Sequence, residues 1–111
     1  MKLAQQRQVV TQVLADNKVI QDAAMFAVEV EKRHGKVPQF IVEKAEVLKV
    51  PLLAIAMSGR LQADHARKRL EALNAAIEYV KGDKGARKRY LEAHQQADRL
   101  AELVAKRVER I

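Results

Sequence analysis

Two apolar seams joined by one short connection constrain this chain more than any other feature. From Leu61 to Val80, the residues Ala63, Ala66, Leu70, Leu73, Ile77 and Val80 recur at alternating steps of three and four. That spacing keeps side chains on one side of an α-helix. A second seam runs through Tyr90, Ala97, Leu100 or Ala101, Val104, Val108 and Ile111. Between them lies KGDKG, residues 81–85, the most loop-like stretch, where Asp83 is a capping residue type for the helix that follows. So short a connection makes the two helices antiparallel neighbours. The pattern predicts a helical hairpin over 61–80 and 86–111, with Leu70, Leu73, Ile77, Leu100 and Val104 buried in it.

The first half is patterned less sharply. Leu3, Val10, Val13 and Leu14 share one side at helical spacing, and Ile20, Ala24, Ala27 and Val28 continue the stripe after a shift around ADNK, residues 15–18. Asp16 and Asn17 are capping types, so a break or a bend is expected there, with the helix ending at Gly35 after Lys32, Arg33 and His34. Pro38 suits the first turn of a short helix through FIVEKAEVLK, since its missing amide is not needed at that position. Pro51 is expected to restart the chain in the same way. LLAIAMS after it reads as a buried helical segment, with Gly59 as a kink. With 111 residues, 49% of them hydrophobic, and only two prolines and four glycines, the chain can build one modest core. The fold expected is all-α, a small bundle of four or five helices in a single domain over 1–111.

Several function classes drop out on composition. The absence of cysteine excludes disulfides and thiolate metal sites. No apolar run reaches membrane-span length, and MKLAQQRQVV lacks the apolar core of a signal peptide, so a cytoplasmic protein with no membrane partner is expected. No GxxxxGK loop or GxSxG elbow is present. His34 falls at a helix C-terminus, where an imidazolium favours the dipole. His65 and its neighbour Asp64 point about 100 degrees apart, and His94 lies near a seam. No two histidines stand four apart, and Glu43 with Glu46 is an ordinary surface pair. No metal, no cofactor and no enzymatic activity are expected.

Charge is the remaining signal. The formal net charge is +7, and residues 60–89 hold nine Lys/Arg against four Asp/Glu. That window contains the tetrapeptide ARKR twice, at 66–69 and 86–89, in a match too short to mark a repeat. At four-residue spacing Arg60 and Lys68 meet Asp64, and Arg67 meets Glu71, so the first copy is locally neutralised. In the second copy Lys88 meets Glu92, whereas Lys81, Lys84, Arg87 and Arg89 meet no acid. Cations at a helix start oppose the macrodipole, and free amides there attract phosphate. The candidate nucleic-acid-binding residues are therefore Lys81, Lys84, Arg87, Lys88 and Arg89, with Arg67 and Lys68 behind them. Replacing Arg87, Lys88 and Arg89 is expected to weaken binding more than replacing Arg67, Lys68 and Arg69.

The partner expected is nucleic acid, DNA ahead of RNA, held by its phosphate backbone. A helix-turn-helix reader would have to come from VPQFIVEKAEVLKVPLLAIAMSGRL, with its turn at Lys49 to Pro51. Leu52 to Met57 offer almost nothing able to address a base edge. Phe26 and Phe40 sit among core-type residues, leaving only Tyr79 and Tyr90 to stack on bases. The competing expectation is a helical adaptor or oligomerisation protein with a protein partner. Leu91 and Leu103 lie off the main seam of the last helix, and the long first stripe suits pairing outside a compact bundle, which favours a homo-oligomer.

Overall fold

The computed structural model describes residues 3–110, and Ile111, the last expected seam position, lies outside them. Four α-helices follow one another: α1 over Leu3–Lys32, α2 over Gln39–Ala56, α3 over Ala63–Val80 and α4 over Ala86–Glu109. The described residues contain no strand. The α3–α4 hairpin makes the most extensive packing, α2 and α1 pack on α3, and α1 touches α4 little. α2 and α4 therefore flank α3 on opposite sides, and α2 is an edge helix.

α1 runs unbroken for 30 residues, against the break or bend expected at Asp16. Asp16 does not cap a helix because it has a tertiary partner. Its carboxylate is buried and takes both arms of Arg60, from Nε at 3.1 Å and from Nη2 at 3.0 Å, together with the Gln12 amide at 2.9 Å. This clamp ties the α2–α3 loop to the middle of α1. Arg60 thus finds its acid 44 residues away, not at Asp64.

The end of α1 follows the sequence closely. Gly35 donates its amide to the Val30 carbonyl at 2.9 Å, a six-residue closure that requires a left-handed residue just before the donor; His34 supplies it at φ 52°, and Gly35 follows at φ 81°. A Cβ there would lie 2.9 Å from the Tyr79 ring, so Gly35 also lets α3 approach.

α2 departs from expectation. Pro51 lies inside it, and no new helix starts there. The carbonyl four residues earlier belongs to exposed Val47, so the lost backbone bond faces water instead of core. A helix-turn-helix unit over this segment is therefore ruled out, since the turn at Lys49 to Pro51 is helical.

The core gathers Ile20, Phe26, Val30, Val42, Leu52, Ile55, Leu73, Ile77 and Tyr90 with small alanines between them. In the hairpin Leu73 and Ile77 are buried, while Leu70, Leu100 and Val104 are half-buried. The reason is that the distal part of α4 rests on α3 almost alone. Phe40, grouped by its neighbours with core residues, lies outside, with the Lys44 ammonium 5.9 Å above its ring.

Candidate functional site

Three places carry chemistry: the basic end of the bundle, a polar chain buried between α3 and α4, and the outer face of α2.

At the basic end, three of the four cations that lack an acid at four-residue spacing are matched from elsewhere in the fold. Lys81 reaches Glu46 of α2 at 3.0 Å, and Arg87 reaches Glu31 of α1 at 2.6 Å. Arg89 donates to Glu78 at 2.7 Å and to Asp83 at 2.9 Å. These contacts hold the Glu31, Glu46 and Asp83 carboxyls below the usual carboxylate range, in each case chiefly through the hydrogen bond from the arginine or lysine. The Tyr90 hydroxyl also donates to Glu31, and its own pKa rises through burial and that bond.

Of the residues singled out for nucleic acid, Lys84 and Lys88 have no ion pair among the described residues, and Lys88 does not engage Glu92. Arg67 pairs with Asp64 at 2.8 Å and Lys68 with Glu71 at 3.1 Å. Both acids are the expected ones, but each serves the other cation, because three-residue spacing wins over four. The start of α4 is not an open anion site either. The Asp83 side chain accepts the Gly85 amide at 3.1 Å and occupies that position as a fixed carboxylate.

The buried polar chain begins at the Val13 carbonyl, which accepts the Gln62 amide at 2.9 Å. Gln62 Oε1 faces His65 Nδ1 at 2.9 Å, and Arg69 Nε donates to His65 Nε2 at 3.2 Å. Two partners fix the tautomer: Nδ1 carries the proton and Nε2 accepts. Arg69 continues outward to His94 Nδ1 at 3.2 Å and Asp98 at 2.8 Å. His65 is 2% exposed and Arg69 is 5% exposed. Burial first, and the Arg69 charge second, press the His65 pKa down to about 4. Among the described residues no buried side-chain nitrogen or oxygen lacks a partner, and the outer end of the chain reaches solvent at Asp98, whose side chain is 57% exposed. Nor do three or more His, Asp or Glu side chains among them converge to hold a metal ion.

The outer face of α2 is the feature that the sequence reading missed. Phe40, Val47, Val50 and Met57 are 59%, 71%, 75% and 78% exposed, and Ala54 between them is exposed as well. Residues 40, 47 and 54 are seven apart, as are 43, 50 and 57, so with Glu43 they make a stripe with the seven-residue repeat of helix pairing. The opposite face of the same helix buries Val42, Ala45, Leu52, Ile55 and Ala56. A helix with large apolar side chains on two opposite faces belongs between two layers, and α2 has one. Beside the stripe, Met25 and Phe26 of α1 with Ile41, Ala45 and Leu48 of α2 line an open groove of about 670 Å3. Among the described residues no helix is long and apolar enough to cross a membrane. The seven-residue spacing was legible in the letters, but reading Pro51 as a helix start cut the stripe in two. No family model matches the chain, and neither curated proteins nor solved structures give a significant match.

Proposed function

We propose that this chain is a non-catalytic helical docking protein that works by pairing the outer face of α2 with another helix. One observation carries the reading: four large apolar side chains in helix-pairing register, each more than half exposed, on an edge helix. Scattered apolar residues are normal on a surface, whereas an ordered row of them on one helix marks an interaction site. The test is a Val47→Glu, Val50→Glu double variant. Both positions face solvent, so the thermal midpoint is expected to stay within about 2–4 °C of the parent, while association of the full chain with itself or a protein partner is lost. Association unchanged by the double variant overturns the reading.

A second reading, binding to the phosphate backbone of nucleic acid, is supported by Lys84 and Lys88, which have no ion pair among the described residues and stand at the same end of the bundle as Lys32 and Lys36. It is the weaker, because Lys81, Arg87 and Arg89 must leave carboxylates to reach phosphate. A Lys84→Gln, Lys88→Gln variant is expected to flatten the dependence of log affinity for duplex DNA on log salt by about 0.9 for each phosphate that is no longer neutralised. An unchanged slope removes those lysines from any such interface.

A further inference from the structure

We infer that the helix docking on α2 is α2 of a second copy, laid antiparallel across a twofold axis between Val47 and Val50. The inference rests on the docking reading above and names its occupant. The stripe runs over Phe40, Glu43, Val47, Val50, Ala54 and Met57, about 25 Å of helix at 1.5 Å per residue. Reversed upon itself about its midpoint, it meets a matching partner at every layer. Phe40 opposes the partner's Met57, a favourable ring–sulfur contact. Val47 opposes the partner's Val50, and Glu43 opposes the partner's Ala54, whose small side chain leaves the carboxylate a way to water. Each contact occurs twice, as an isologous interface requires.

Charge selects the direction. In a parallel pair the two Glu43 carboxylates would share one layer and repel. In the antiparallel pair they lie at opposite ends of the seam, about 16 Å apart along the axis. Sliding the antiparallel pair by one heptad leaves Phe40 or Met57 uncovered, so a single register buries the whole stripe. Four apolar side chains from each copy, all more than half exposed in the single chain, together remove on the order of 1,000 Å2 from water, the lower bound for a specific interface. α2 is free to pair because it stands at the bundle edge, with α4 on the far side of α3.

The chain has no cysteine, so introduced thiols report without interference. Val47→Cys and Val50→Cys versions of the full chain, one carrying an affinity tag, are oxidised alone and mixed. Antiparallel pairing predicts a covalent dimer from the mixture and little from either alone, whereas a parallel pair cross-links each version with itself and overturns the inference. Light scattering of the unmodified chain at about 100 µM, a hundredfold above a micromolar Kd, is expected to give a dimer that Val50→Glu weakens by at least about tenfold, since a carboxylate would enter each of the two central apolar layers against the partner's Val47. A monomer at that concentration overturns self-pairing. If the monomer still associates with another protein in a Val50-dependent way, the docking reading survives without this occupant. If it does not, both fall.

Discussion

Residues 66–69 of α3 and 86–89 of α4 are spelled alike, and they agree for only part of their length. Ala66 and Ala86 are both fully buried, and Arg67 and Arg87 are both exposed and ion-paired. At the third letter Lys68 has an ion pair and Lys88 has none among the described residues, and at the fourth the copies part in burial. Arg69 is enclosed, bonded to His65, His94 and Asp98, while Arg89 lies outside in the grip of Glu78 and Asp83. The phase of the apolar repeat decides which. After Ala66 the buried face of α3 steps three residues to Arg69 and on to Leu73, whereas after Ala86 the face of α4 steps four, to Tyr90, then Ala93 and Ala97. An arginine on the inward step needs acceptors supplied inside the protein, and a surface arginine needs only nearby acids. The neighbours at three and four residues, which made the first copy look like a solvated face, do not see this difference.

The sharpest way to break the comparison is to remove each fourth arginine. Arg69→Ala is expected to cost about 3–5 kcal/mol, since it strips His65 of its donor and opens a void under α4. Arg69→Met, similar in length and without charge, should recover a substantial part. Chemical denaturation reads both, and an alanine cost below about 1 kcal/mol would mean that the buried chain carries no stability. It follows that replacing Arg67, Lys68 and Arg69 together cannot compare the two copies as anion sites, because the protein would lose its core link. Only Arg67 and Lys68 remain usable on that side.

Acid offers a second probe of the same link. The folded pKa of His65, about 4, lies below its ordinary value near 6.5, so below pH 6.5 the unfolded chain takes up a proton that the folded chain refuses. The contribution is fully present above pH 6.5 and is lost as pH falls toward 4, by at most about 3 kcal/mol at 1.36 kcal/mol per unit. A His65→Gln variant should flatten stability between pH 6.5 and 4. If its profile parallels that of the parent, the titration belongs to other groups. The smallest effect expected is from Arg89→Ala, far below that of Arg69→Ala, because its partners are half exposed and a surface pair contributes little. A cost equal to that of Arg69→Ala would show that burial does not separate the copies.

The sequence made the hairpin, the stop at Gly35 and the helix start after Pro38 legible because each rests on local rules: a 3–4 repeat, a left-handed cap and a fixed φ. The rest depended on distance. Asp16 looked like a cap because its short polar side chain is a capping type, and nothing local reveals an arginine 44 residues downstream. Pro51 looked like a start, since only the tertiary setting shows that its unpaired carbonyl faces water. Lys81, Arg87 and Arg89 looked free because their acids stand on other helices or, for Asp83, six residues back in the loop. His65 was weighed against Asp64 next to it, although Gln62, His65 and Arg69 at steps of three and four residues already described one buried edge.

The contacts that seat α1 have a consequence in time. Gln62 to Val13, Arg60 to Asp16 and Tyr90 to Glu31 join positions 49, 44 and 59 residues apart, whereas α3 and α4 meet across the short loop at 81–85. Closing a short loop costs less chain entropy, so in refolding from denaturant the hairpin is expected to assemble before α1 docks on α3. On the ribosome the order of appearance is reversed. At about 5–20 residues per second, Gln62 emerges roughly 2–10 s after Val13. Through that interval Ile20, Phe26 and Val30 have no α3 to cover them. The longest helix in the molecule is therefore the one that waits longest in synthesis, its inner face open to a chaperone or to the same helix of a neighbouring nascent chain.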